Sequence, residues 1–138
     1  MMNDFSRTVD ILHRALDASA LRYQITAHNL ANAEVPNFKR THLNFESELK
    51  KAFESEKTDK DIARLVTSDE RHIKNETFID YRTVEPRRVT DYWSTVKANG
   101  NNVDAEQEAM NVLKTQMSYQ MLTQMENFQF SQMKVILK

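Results

Sequence analysis

Cysteine is absent from the 138-residue chain. This excludes a disulfide framework and thiolate metal sites, and fits any redox compartment. Glycine occurs once and proline twice. So few backbone breakers favour long helices over a many-stranded fold. A single glycine also excludes a Gly-rich phosphate-cradling loop. None of the serines stands in a Gly-x-Ser-x-Gly setting, so a nucleophile elbow is excluded too. No apolar run approaches the ~18 residues of a membrane-spanning helix. Neither sign of charge is in excess, with 19 Lys+Arg against 20 Asp+Glu. That argues against binding nucleic acid or a membrane surface through bulk charge. Apolar residues make up only 40% of the chain and mean hydropathy is −0.68, so a large self-contained core is not expected. The opening Met1-Met2-Asn3-Asp4-Phe5-Ser6-Arg7 lacks a basic region followed by an apolar run, so no cleaved secretory signal is expected.

The polar chemistry is equally sparse. His13, His28, His42 and His72 are not placed as in His-Glu-x-x-His, no acidic residue completes a metal set with them, and they read as surface or structural residues. No catalytic, cofactor-binding or metal site is expected. Glu85-Pro86-Arg87-Arg88 reads as a basic contact patch or, more simply, a solvated loop. Tyr92-Trp93 reads as an interface anchor or, more simply, part of a small local core.

What is present is helical periodicity at both ends. Residues 4 to about 33 carry Phe5, Val9, Leu12, Leu16, Ser19, Tyr23, Thr26 and Leu30 at alternating steps of four and three, a coiled-coil-like seam with weak points at Ser19 and Thr26. Ile11, Ala15, Ala18 and Ile25 form a second stripe beside it. Residues 104 to about 137 read as a second helix. Asp104 is its N-cap, and Gln107 stands three residues on as in a capping box. Glu106 and Glu108 near its start and Lys134 near its end complement the helix dipole. Met110, Leu113, Met117, Met121, Met125, Phe128 and Val135 lie along one broad face. Methionine suits surfaces that meet more than one environment.

The middle, about 36–100, is weaker. Leu43 to Phe53 is expected to form a short helix and Lys57-Thr58-Asp59-Lys60-Asp61 a solvated stretch. Ile62, Leu65 and Val66 are too few to define an element. Thr77 to Val96 is expected to hold extended segments broken at Pro86, and Asn99-Gly100-Asn101-Asn102 a loop. Partial disorder is expected in this portion. The fold class is therefore mainly α: long terminal helices pairing antiparallel, with a small extended or partly disordered middle. Each terminal helix has more apolar face than one neighbour covers, which marks an assembly subunit rather than a self-contained enzyme. The expected assembly interface is Phe5, Val9, Leu12, Leu16, Tyr23 and Leu30 from the first helix, with Met110, Leu113, Met117, Met121 and Phe128 from the second.

The stretch Asn29–Arg40 links these observations. Val35 precedes proline and is pushed towards extended geometry, so the helix stops at or before Glu34. Asn29 and Asn32 are placed to bond freed backbone groups of its last turns. Pro36 and Asn37 fit the two central positions of a tight turn, with positive φ at Asn37. Ala31-Asn32-Ala33-Glu34-Val35-Pro36-Asn37-Phe38-Lys39 resembles the A-N-x-x-T-P-G-Y-K signature that ends the N-terminal helix of the flagellar rod and hook protein family. Gly100-Asn101-Asn102-Val103-Asp104 is similar to the G-N-N-V-D start of the C-terminal helix in the family's proximal rod members. Val35, Asn37 and Phe38 depart from the usual Thr, Gly and Tyr.

The resemblance implies one rod-subunit domain over 1–138: a structural subunit of the proximal part of the bacterial flagellar basal-body rod. It implies export by the flagellar type III apparatus without a cleaved signal, and a site in the rod within the periplasmic space. Its implied partners are other copies, the other rod proteins, the adaptor joining rod to membrane ring, and the export apparatus, with no cofactor, nucleic acid or membrane span. Other readings are another rod protein with the same N-terminal signature, a soluble helical export chaperone or adaptor, and a hydrolase. The last has no catalytic constellation behind it.

Overall fold

The first apolar seam folds as α1, Asp4–Ala31, 28 residues or roughly 42 Å long. The second folds as α3, Ala105–Ile136, 32 residues long. Between them lie strand β1 (Thr41–Asn44), helix α2 (Glu46–Asp61), a 3-10 turn (Tyr81–Thr83) and strand β2 (Arg87–Thr90), with β1 and β2 paired in a two-stranded sheet. The computed structural model describes residues 4–61 and 78–137, with side chains described for 4–57 and 78–137. The expectations for Ile62, Leu65, Val66, His72, Thr77 and the disordered stretch across 62–77 lie outside the described residues.

The chain forms two compact units: Met1–Leu43 with Arg88–Lys138, and Asn44–Arg87. In the first, α1 and α3 run antiparallel. Asn29 meets Glu108 (3.1 Å), His13 meets Glu126 (2.5 Å), and the rings of Phe5 and Phe130 cross edge to face at 6.0 Å. The buried face of α1 is Leu12, Ala18, Ser19, Ile25, Thr26 and Asn29. It therefore lies between the two expected stripes, because the small Ala18 and Ser19 let α3 approach there while Tyr23 turns outward. On α3 the buried pair is Glu108 and Thr115, with Leu122, Glu126, Gln129 and Met133 half-buried further along. Apolar residues thus occur on both the inner and the outer side of α3. Among the described residues no helix is long and apolar enough to cross a membrane.

The second unit buries Phe45, Ala52, Tyr81 and Val84. The Phe53 and Tyr81 rings lie 5.9 Å apart. Here two expectations need correction. Leu43 belongs to a strand, not to the start of a helix. The helix begins at Glu46, where the Phe45 carbonyl accepts the Leu49 amide (2.9 Å) and Asn44 accepts the Ser47 hydroxyl. It then runs on to Asp61, through the charged Lys57-Thr58-Asp59-Lys60-Asp61 stretch. Glu46 and Glu48 suit its N-terminus, and the Lys50–Glu54 and Lys51–Glu48 pairs lie along its exposed side. Of the extended segments expected before and after Pro86, only the second forms, as β2. Before it Asp80 accepts the Arg82 amide and caps the 3-10 turn instead.

Candidate functional site

The two signature segments, some 60 residues apart in sequence, fold into one junction at one end of the helix pair. α1 ends at Ala31, and the turn amides of Asn32 and Ala33 still reach back to His28, Asn29 and Leu30 carbonyls. Val35–Phe38 closes a turn through the Phe38 amide to the Val35 carbonyl (3.3 Å), with Asn37 at φ 58° as its sequence predicts. Gly100, at φ 81°, is the other described residue of positive φ. The two are neighbours. The Asn37 amide donates to the Asn99 carbonyl (3.0 Å), and a Cβ built on Gly100 would lie 2.5 Å from Asn37 Oδ1.

Asn101 pins the two segments together. Its Nδ2 group donates to the carbonyls of Asn32 (3.0 Å), Ala33 (3.0 Å) and Val35 (2.8 Å), and its Oδ1 accepts the Val103 amide (2.6 Å). Asn102 ties in the sheet: Oδ1 accepts the Arg40 amide (2.6 Å), and Nδ2 donates to the Asp91 carbonyl (2.8 Å) and Ser94 Oγ (3.1 Å). Lys39 Nζ donates to the Gly100 carbonyl (3.0 Å), and Lys97 Nζ to the Ala33 carbonyl (2.9 Å) and Glu34 (2.7 Å). Phe38 sets its ring 5.6 Å from His28. Val103 is fully buried, and Asp104 starts α3 by accepting the Glu106 and Gln107 amides. Only half of the expected capping box forms, because Gln107 turns its side chain to Asn111 instead. Ala31 and Pro36 are exposed; they shape the helix end and the turn.

Two residues play roles their local sequence does not announce. Asn32 bonds the His28 carbonyl, as expected of a last-turn asparagine. Asn29 does not; it clasps the backbone of Thr41, donating to its carbonyl (2.7 Å) and accepting its amide (3.1 Å). Glu108, read from sequence as a charge that complements the helix dipole, is 1% exposed. It accepts from Arg40 Nε and Nη2 (both 2.8 Å), Asn29 and Asn111. Its one signal in the sequence is position: Glu108, Thr115 and Leu122 recur every seven residues, on the side facing α1.

Substitutions at the paired positive-φ residues test the junction directly. Gly100→Ala is expected to cost about 1–2 kcal/mol, from left-handed strain and the clash with Asn37. Asn37→Gly is expected to be tolerated, and Asn37→Val to cost about 1–3 kcal/mol. Chemical unfolding of the purified chain reads both; a neutral Asn37→Val would contradict the turn geometry.

Asp91 anchors the next turn. The hydroxyl and amide of Ser94 and the amide of Trp93 hold its carboxyl below the usual aspartate value, with Lys39 adding attraction and desolvation opposing. A depressed folded-state value means the contribution is full above the ordinary value of about 3.9 and is lost as pH falls through the lower one. The melting difference between wild type and Asp91→Ala is therefore expected to shrink in that acid window. A difference constant from neutral pH to pH ~2 would contradict it.

Of the expected interface residues, Leu12 is buried within the helix pair; Phe5, Val9, Leu16 and Leu30 are half-buried; Tyr23 is exposed. Met110, Leu113, Met117, Met121 and Phe128 are all exposed on α3. Among the described residues no group of three or more metal-capable side chains occurs.

The chain is 42% identical over 137 residues to the flagellar basal body rod protein FlgB of Borreliella burgdorferi, with 99% of this chain and 100% of that one covered. It belongs to the FlgB family. FlgB of Borrelia hermsii is 35% identical over 99% of this chain and 100% of its own, and FlgB of Bacillus subtilis 30% identical over 99% and 97%. No family model matches the chain. Membership makes it a structural protein of the flagellar basal body rod. The matches to FlgB span nearly the whole chain, so they include both segments of the junction. They also resolve the choice among rod proteins that the shared N-terminal signature leaves open.

Proposed function

We propose that this chain is a subunit of the proximal rod, polymerising through its terminal helices into the hollow, torque-transmitting shaft. In this reading the whole of 1–138 acts as one rod-subunit domain. It leaves the cell through the flagellar type III apparatus without a cleaved signal and takes its place in the periplasmic space. It contacts other copies, the other rod proteins and the adaptor to the membrane ring, and it catalyses no reaction. The observation that carries the proposal is the outer side of α3. Met110, Leu113, Met117, Met121, Met125 and Phe128 follow one another at steps of three and four, and each is between 51% and 70% exposed. Val135, Ile136 and Leu137 extend the apolar surface to the helix end. A stripe of this length on a monomer marks a surface that a partner covers. The junction supplies the second requirement, a hydrogen-bonded tie between the end of α1 and the start of α3.

The test is incorporation. The double variant Met117→Glu, Met121→Glu is expected to keep the helicity and melting point of the wild type, because neither side chain is buried in the subunit. It is expected to lower recovery in isolated basal bodies, and motility, by at least tenfold. Normal rods from this variant would sink the proposal.

A further inference from the structure

Trp93 is the single tryptophan of the chain and is 95% exposed. The expectation of a small local core around it is not met. Its turn is nevertheless well braced. Asp91 accepts the amides of Trp93 (3.0 Å) and Ser94 (3.1 Å) and the Ser94 hydroxyl; the Asp91 amide donates to the Arg40 carbonyl (2.9 Å); Asn102 holds the Asp91 carbonyl. A bare indole is thus held on a fixed support at the junction. Buried tryptophans contribute large contact areas, roughly 150–250 Å² each, and are enriched at the centres of interfaces.

The same compact unit carries a receptacle. Where the α1 seam is weakest, small side chains on both helices leave a notch of about 430 Å³. Ser19, Ala20 and Thr115 line it together with Tyr23, Tyr119 and Gln116. The two tyrosines that line it are exposed at 45% and 44%. The Gln116 amide offers an acceptor, which an indole N–H needs once it leaves water. No charged side chain lines it, as suits a neutral ring. Ser19 lies ten residues from Asn29 along α1, roughly 15 Å from the junction end, so the molecule's own Trp93, almost wholly exposed on its braced turn, does not fill it.

The geometry points to a second copy of this chain as the occupant: Trp93 of one subunit enters the Ser19–Tyr23/Thr115–Tyr119 notch of the next. The contact is heterologous, so each subunit added leaves one free knob and one free notch, displaced along the helix axis. Heterologous contacts that do not close into a ring propagate as open helical polymers, which is what the rod reading requires and on which this inference rests. One indole buries far less than the ~1,000 Å² of a stable pair. The contact therefore sets register between copies already held by the α3 stripe.

The absence of cysteine makes the test clean. Thr95→Cys and Ala20→Cys are introduced in separate full-length chains, both at exposed positions, and the purified chains are mixed with a short bismaleimide. Cross-linked dimer is expected at least tenfold above the yield from Thr95→Cys mixed with Lys134→Cys, and Trp93→Ala in the Thr95→Cys chain is expected to abolish the excess. Equal yields with the control pair, or an excess that survives Trp93→Ala, would overturn the assignment. The same chains recovered in basal bodies separate this inference from the rod reading. Incorporation without the 95–20 cross-link removes the knob and notch and leaves the rod reading standing. Cross-linking in solution without incorporation does the reverse. Trp93 emission shifted to shorter wavelength in basal bodies, without that cross-link, would assign the indole to a different rod subunit and reject the second copy.

Discussion

Replacing Asn101 with alanine is expected to destabilise the subunit by about 3–5 kcal/mol. The side chain is fully buried and makes four hydrogen bonds. Three are donated to carbonyls that each keep another partner: Asn32 the Val35 amide, Ala33 the Lys97 ammonium, Val35 the Phe38 amide. Their loss costs roughly 0.5–1.5 kcal/mol apiece. The fourth is different. The Val103 amide loses its acceptor inside a fully buried segment, and an orphaned buried donor costs roughly 1–3 kcal/mol. Asn101→Asp separates the two contributions. It keeps an acceptor for Val103 but turns a carboxylate towards three carbonyl oxygens, so it is expected to be at least as damaging as alanine. Urea unfolding followed by circular dichroism measures both. A loss below about 1 kcal/mol for either would mean that Asn101 does not join the two segments.

Arg40→Ala is expected to cost about 3–5 kcal/mol, because it strands the buried Glu108 carboxylate. Two Arg40 nitrogens lie 2.8 Å from Glu108 Oε1, and the arginine stays about a third exposed while the glutamate is 1% exposed. Removing the cation therefore leaves the fully desolvated partner with only the neutral amides of Asn29 and Asn111. Glu108→Gln, which abolishes the charge and keeps the shape, is expected to cost less than Arg40→Ala. The double variant Arg40→Met, Glu108→Leu is expected to recover most of the loss, since replacing a buried ion pair by apolar side chains is often neutral. A double variant as unstable as Arg40→Ala would show that the pair does more than satisfy its own buried charge.

The contrast between these residues explains what the sequence reveals. Pro36-Asn37 is legible because the turn is governed by the φ preferences of those two residues alone. Asp104 is legible as a cap for the same reason. Asn101 is recognisable as part of a loop and of the Gly100–Asp104 signature, but not as a pin between segments, because its partners lie 66 to 69 residues away. Glu108 misleads, since an acidic residue in a first helical turn already has a sufficient local explanation. Helix α2 is under-read because its final turns, through Lys57-Thr58-Asp59-Lys60-Asp61, carry no apolar period. Trp93 misleads in the opposite sense: a tryptophan beside a tyrosine reads as core, yet here backbone bracing at Asp91 holds it outward. The terminal helices are legible throughout, except for which side faces inward. Ser19 and Ala18 decide that by their small size, not by hydrophobicity.

The exposed stripe of α3 and the junction have different roles. The junction fixes geometry within one subunit. The stripe is exposed on the subunit, and the central proposal is that neighbours cover it in the rod. Met117, at 70% exposure the most open of the methionines there, is the place to ask. A Met117→Cys chain, cysteine-free elsewhere, can be treated with a soluble maleimide as free subunit and within isolated basal bodies. Rapid modification of the free subunit and at least tenfold slower modification in the basal body is the predicted result. Equal modification in both would contradict the account.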